Sequence, residues 1–404
     1  MPESCPGVGD VVRLNSACDR RSFLRGLATA GLSLAGLRAA VERVTGAEPD
    51  GVPVVRTIRG PGEPTSVVVV HEDDYEALAA FHAVDFADKL TESVHSVRLR
   101  KASSTPGDVR IHAQVDRTPI RAARRNPKRL LGIPLEFERA ARIEARAGST
   151  AASRMESCCD DDDDDNIELR AGVKITSDRD RSGTIGLIAD DESDDYDPLI
   201  ITAKHVVAED VYDPESAPAD SIEHDGTTVG ELERDSDGNP KHDYPDHDAI
   251  AYRHNGTGKA YTQNIEGDLD PIRDRWTYDG LWEAVETYES GGRYGQLPTE
   301  LYGQKTGRGS TETVKVKKSK SMNGGDFNYV AGANSDPTEV GDSGCPFVTT
   351  DDQYHDEDGF AAEGNHLVGI LHGGATGNGD PWVMIPAAPN YDGAWFGGMN
   401  LDLW

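Results

Sequence analysis

A chain cannot pack through six consecutive aspartates, and the run Asp160 to Asp165 therefore divides this one. Like charges at that density repel and hold water, so the run reads as an exposed linker with a folded unit on either side. It is a poor cation site, because carboxylates converge on a divalent ion only where a folded loop turns them inward. This gives a linker at 158–168, a front module at 41–157 and a main body at 169–404.

In the body the apolar residues come in short runs between acidic, Gly- and Pro-rich stretches. Glu168 to Ile175, Gly183 to Ala189, Pro198 to His205, Thr227 to Leu232 and Asp248 to Tyr252 predict strands. Glu312 to Lys318, Pro346 to Thr350, Leu367 to His372 and Trp382 to Pro386 continue the style. Such spacing predicts an antiparallel barrel or sandwich, and on its own no more than an all-β region.

Chemistry concentrates at Gly341-Asp342-Ser343-Gly344. A serine hydroxyl is a weak nucleophile at neutral pH and needs a base beside it and donors aimed at the oxyanion it creates. Gly341 lets the chain turn so that its N–H and that of Ser343 point at one spot, and Gly344 leaves the approach open. Upstream, Leu199 to Val207 delivers His205 at the end of an apolar strand, and Asp248 heads the short apolar strand Ala249-Ile250-Ala251-Tyr252. Histidine, aspartate and serine, spaced by 43 and 95 residues, follow one chain order of the catalytic triad. Asp243 and Asp246 compete for the acidic role, but the strand-like alternation after Asp248 favours it. His242, His247 and His254 read as solvated loop residues.

These stretches resemble the chymotrypsin/trypsin-like serine proteases. Thr202-Ala203-Lys204-His205 matches the histidine box, Asp248-Ala249-Ile250-Ala251 the aspartate box, and Gly341 to Pro346 the serine box. Leu367 to Gly374 looks like the strand that lies beside the substrate. The resemblance covers about 169–404. It implies two antiparallel six-stranded β-barrels with the site in their seam, behind a small α+β N-terminal module. It also implies hydrolysis of polypeptide substrates through an acyl-enzyme, with no cofactor and no metal. His205 would be the base, Asp248 its orienting carboxylate and Ser343 the nucleophile, with the N–H groups of Gly341 and Ser343 as the oxyanion hole. The primary pocket would be lined by Pro337, Thr338, His372, Gly373 and Gly374. The acidic residue that would select Lys or Arg is absent at Pro337, with Asp336 one position away. His372 is either a packed histidine or a selector of acidic side chains. Two departures stand out: Lys204 replaces a small residue next to the histidine, and Cys345 adds bulk after the serine turn. The same residues also fit a peptide-binding fold that has lost catalysis, and a related ester hydrolase.

The formal charge is -31, from 72 acidic and 41 basic residues, and it is spread along most of the chain. That implies a heavily hydrated surface of the kind used at high salt, hence a halophilic microbe, and it disfavours nucleic acid as a partner. Arg20-Arg21 ahead of the apolar run Gly26 to Leu37 predicts a twin-arginine export signal within 1–40, hence an extracellular or cell-surface location. The run is too short to span a bilayer, and Arg38 directly after it leaves an amphipathic helix open.

In the front module, Val54 to Ile58, Ser66 to His71 and Val94 to Lys101 predict strands, and Asp73 to Ser93 a helix. Residues 97–148 hold 13 basic and 5 acidic residues, net +8, whereas 149–404 hold 19 and 53, net -34. This contrast suggests a propeptide docked on the body as a folding aid or intramolecular inhibitor; the alternative is a basic, solvated helix and linker. Five cysteines, three of them beyond the signal, make no disulfide framework. Lys315, Lys317, Lys318 and Lys320 read as guards of an exposed strand edge.

Overall fold

The computed structural model describes residues 11–13, 34–58, 64–84, 86–90, 94–103, 105–115, 119–139, 143–145, 148–149, 167–179, 181–191, 198–209, 216–241, 243–244, 248–265, 271–277, 280–283, 302–307, 310–318, 320–321, 328–332, 342–350, 365–375, 381–386 and 401–402. These are mostly β, as the short apolar runs predict. The twin arginines, the aspartate run and Cys158-Cys159 lie outside them. No described helix is long and apolar enough to cross a membrane.

The strand Leu199–Ala203 is buried along its whole length, between Leu187–Asp191 and Ala249–His254, antiparallel to both. Its side chains alternate between two cores. Ile200, with Ile250 and Tyr252 of the neighbouring strand, faces a core that holds Ile175, Val206, Ile222 and Val229. Leu199 and Ile201, with Ala249 and Ala251, face Val348, Leu367 and Ile370 of a second sheet. A run with no polar alternation is what a strand covered on both faces requires, at about 1.5–3 kcal/mol for each large side chain buried.

The first sheet has ten strands, and its path ends at Gly148–Ser149 beside Arg181–Thr184 and at Leu401–Asp402 beside Leu187–Asp191. The second has eleven. Within it Asn365–Ala375, Pro346–Thr350, Tyr302–Gly307, Ser310–Lys318, Asn328–Gly332 and Pro381–Pro386 pair in turn, and the last pairs back to the first. Six strands thus close a ring. The first sheet does not close among the described residues, so two six-stranded barrels are not what the pairings show. The lysine-rich strand Ser310–Lys318 is paired on both sides, which corrects its reading as an edge.

The second sheet crosses the boundary that the aspartate run marks. Ile272–Trp276 lies parallel to Asn365–Ala375 and antiparallel to Val52–Ile58, which continues the sheet into Pro64–Val70 and Val11–Arg13. The helix Leu34–Thr45 packs Leu37, Ala40 and Val41 on Val67.

The rest of the front module contributes four strands and helices to a five-stranded sheet, whose fifth strand is Lys320–Ser321 of the body, antiparallel to Val94–Lys101. Val109–Val115 lies between Val94–Lys101 and Ile133–Arg139, and it alternates buried Val109, Ile111, Ala113 and Val115 with polar Arg110, His112 and Gln114. The basic segment is therefore largely a half-buried sheet, with the short helix Pro119–Arg125 carrying exposed Arg124 and Arg125. Arg110 meets Glu136 of the next strand, and Arg98 reaches across Val109–Val115 to Glu138. The helix expected over Asp73 to Ser93 stops at His82 and resumes as Phe86–Lys89, with Phe81 and Phe86 packed across the break. Trp282 of the body is buried in this module's core, its indole N–H donating to Leu99 O at 3.1 Å.

Candidate active site

The apolar strand Leu199–Ala203 runs straight into a single helical turn, Lys204–Val207, all four of whose residues are buried. That turn presents His205 toward the head of the adjacent strand. There Asp248 has φ 47°, a left-handed conformation that costs a typical side chain about 1–3 kcal/mol but is among those aspartate tolerates best. The conformation is held from three directions. Asp248 O accepts from Lys204 N–H at 2.8 Å, its Oδ1 accepts from His205 N–H at 2.8 Å, and its Oδ2 lies 2.6 Å from His205 Nδ1. An ionised carboxylate only accepts, so the proton sits on Nδ1 and Nε2 is left as the basic nitrogen.

Backbone hydrogen bonds fix the serine turn in the seam. Ser343 O accepts from Thr184 N–H at 2.9 Å, and Cys345 N–H donates to Asp342 O at 2.9 Å. On the other side Gly344 N–H donates to Leu371 O at 2.8 Å and Leu371 N–H to Cys345 O at 2.9 Å. Gly344 has φ 90°, and a Cβ there would stand 2.3 Å from Thr184 O and 2.4 Å from Thr202 Oγ1, so only glycine fits. A Cβ on Gly183 would meet Val206 at 2.4 Å and Ser343 O at 2.9 Å. Ser343 and its neighbours are thus packed against the residues that flank His205. Asp342, Ser343 and Cys345 are buried, and Cys345 is a thiol.

Of the residues expected at the site, His205, Asp248 and Ser343 lie at this junction. Gly341, Pro337 and Thr338 are outside the described residues, as is Asp336. His372, Gly373 and Gly374 lie on Asn365–Ala375, the strand to which the serine turn is bonded. Of the competing acids, Asp243 sits on Asp243–Tyr244 opposite Ile250, and Asp246 is outside the described residues. His242 and His247 are outside as well. His254 corrects its expectation as solvated: it ends the strand Ala249–His254, is buried, and its Nε2 lies 2.9 Å from Thr257 O.

Sequence reasoning missed the supports of the serine turn, Gly183, Thr184 and Thr202. Thr202 Oγ1 donates to Thr184 O at 2.9 Å and fills the space beside Gly344. The signal was available in Gly183-Thr184-Ile185-Gly186, since two glycines inside a strand pattern mark a close approach of backbone.

No protein-family model matches the chain, and no curated protein matches it. Among solved structures, 59 chains match. One is Thermobifida fusca Protease A, at 13% identity and TM-score 0.32, covering 55% of this chain and 92% of that one. Another is the passenger domain of Plasmid encoded toxin, an autotransporter enterotoxin of enteroaggregative Escherichia coli, at 15% identity and TM-score 0.30. That match covers 52% of this chain and 20% of the other, so this chain spans about a fifth of it. Similarities of this size leave the function to be argued from the site itself.

Proposed function

We propose that the chain is an exported serine endopeptidase acting through His205, Asp248 and Ser343. One observation carries the reading: a single carboxylate accepts both the main-chain N–H and the ring Nδ1 of the same histidine. A structural role would need one of these bonds; fixing both the position and the tautomer of an imidazole suits a base. Ser343 Oγ attacks the scissile carbonyl while Nε2 of His205 takes its proton, and Asp248 stabilises the imidazolium that forms. The N–H groups of Gly341 and Ser343 receive the oxyanion. His205 then returns the proton to the leaving amine, and water repeats the sequence to free the acyl group.

The test is intact-mass labelling of the full chain by an organophosphonate in high salt. One adduct is expected, absent from Ser343→Ala and His205→Ala. A folded protein that takes no adduct, even with Glu144 and Ala145 both replaced by proline, would instead favour a peptide-binding fold without catalysis.

A further inference from the structure

Two short strands of the front module reach the seam, and they lie on either side of the serine turn. Ile143–Ala145 pairs antiparallel with the end of Asn365–Ala375, in the register Gly373 with Ala145, Gly374 with Glu144 and Ala375 with Ile143. Gly148–Ser149 pairs antiparallel with Arg181–Thr184, Ser182 with Gly148 and Arg181 with Ser149. Both receiving strands are bonded directly to the serine turn, one through Leu371 and the other through Thr184. Leu371 is two residues from Gly373, and Thr184 two from Ser182.

The direction of travel is fixed by the register. From 143 to 145 the chain advances toward Leu371 and the serine turn, and from 148 to 149 it moves away from Thr184. Only Arg146 and Ala147, outside the described residues, separate the two strands in sequence. Three residue steps span at most about 11 Å, so Ala145 and Gly148 lie no farther apart than that. Each receiving strand is already paired on its far side, Gly373 and Gly374 with Val383 and Trp382, and Ser182 with Thr176. What Ile143–Ala145 and Gly148–Ser149 occupy are therefore the two edges that face the seam.

We infer that the strands Ile143–Ala145 and Gly148–Ser149 fill this chain's own substrate groove, bound main chain to main chain as added strands. The inference rests on the reading of the seam as a peptide-cutting site, and it names the inhibitor: these two strands, paired on either side of the serine turn. Strand addition recognises backbone, so the substrate class that competes is extended polypeptide.

The occupancy is tested apart from catalysis by amide hydrogen exchange on the full-length Ser343→Ala protein, with and without Glu144→Pro and Ala145→Pro. In an antiparallel strand successive N–H groups point to opposite sides, so two adjacent prolines remove an inward donor whichever residue supplies it. Exchange at residues 373–375 is expected to quicken at least about tenfold in the proline variant, with Leu199–Ala203 unchanged. Unchanged exchange at 373–375 would overturn the inference. If the prolines disturb the core strands, glycines at 143–145 replace them, with the same expectation. Phosphonate labelling of the forms that keep Ser343 then separates the two readings. Quickened exchange with no adduct leaves the segment in the groove and removes the peptidase, whereas equal labelling rates with unchanged exchange keep the peptidase and remove the segment.

Discussion

Asp248 does two jobs with one carboxylate, and an isosteric change separates them. In Asp248→Asn the amide oxygen still accepts the His205 N–H, but the amide nitrogen faces Nδ1 and drives the ring proton to Nε2. Turnover is expected to fall by about 10⁴ with thermal stability little changed, as measured by steady-state kinetics beside calorimetry. Gly344→Ala should do the reverse. A methyl 2.3 Å from Thr184 O at φ 90° must displace the turn, so this variant is expected to lose about 1–3 kcal/mol in denaturant unfolding. His205, Asp248 and Ser343 were legible because each stands at the border of an apolar run, where a side chain can be both fixed and reachable. Thr202 was not, because a hydroxyl that fills space beside a glycine has no periodic signature.

Among the elements, two carboxylates join strands that are distant in sequence. Glu138, on Ile133–Arg139, meets Arg98 at 3.2 Å and faces His112. Partial burial raises its pKa, but His112 and Arg98 outweigh this and hold it down to about 2. Asp274, on Ile272–Trp276, accepts from Thr65 Oγ1 at 2.5 Å and is bonded to His366, so it links Pro64–Val70 of the front module, two strands away, to Asn365–Ala375 on its other side. Burial alone would raise this carboxyl, yet the His366 charge and hydrogen bond keep it below its ordinary value. A carboxylate with a lowered folded pKa stabilises the fold above its unfolded pKa and loses that contribution as pH falls. Melting temperature is therefore expected to drop as pH goes from 4.5 toward about 2, and Glu138→Gln should flatten part of that slope. These elements also mark the limit of sequence reading. Val94–Lys101 and Pro346–Thr350 were legible as apolar runs, but Ile272–Trp276 was not. Its sequence Ile-Arg-Asp-Arg-Trp is charged at its centre, and it is a buried strand only because partners from both sides satisfy Asp274 and stack Arg56 on Trp276 at 4.9 Å.

At the scale of the whole molecule, the front module and the body share a sheet and exchange side chains. Trp282 of the body is buried among Leu99, Ile111 and other module residues, while Thr277 Oγ1 donates to Val55 O at 2.5 Å and Trp276 lies opposite Thr57. A chain begun near Glu168 would expose both tryptophans. Losing the surroundings of one fully buried tryptophan costs about 3–5 kcal/mol, a large part of the roughly 5–15 kcal/mol that holds a domain together. Such a shortened chain is expected to lose its near-UV circular dichroism, and retention of a sharp aromatic spectrum would show that the body folds alone. Composition marked the aspartate run and the change of charge from basic to acidic. It carried no sign of the shared sheet, because pairing between segments about 200 residues apart is a tertiary fact.

Peptide hydrolysis by the Glu144→Pro, Ala145→Pro chain, in high salt and beside the same chain carrying Ser343→Ala, brings site and groove into one comparison. The expected result is new peptide termini from an unfolded protein substrate, with the rate about 10⁴ lower once Ser343 is alanine. Equal rates with and without Ser343, from two proteins shown to be folded, would contradict the assignment of this seam as a serine endopeptidase.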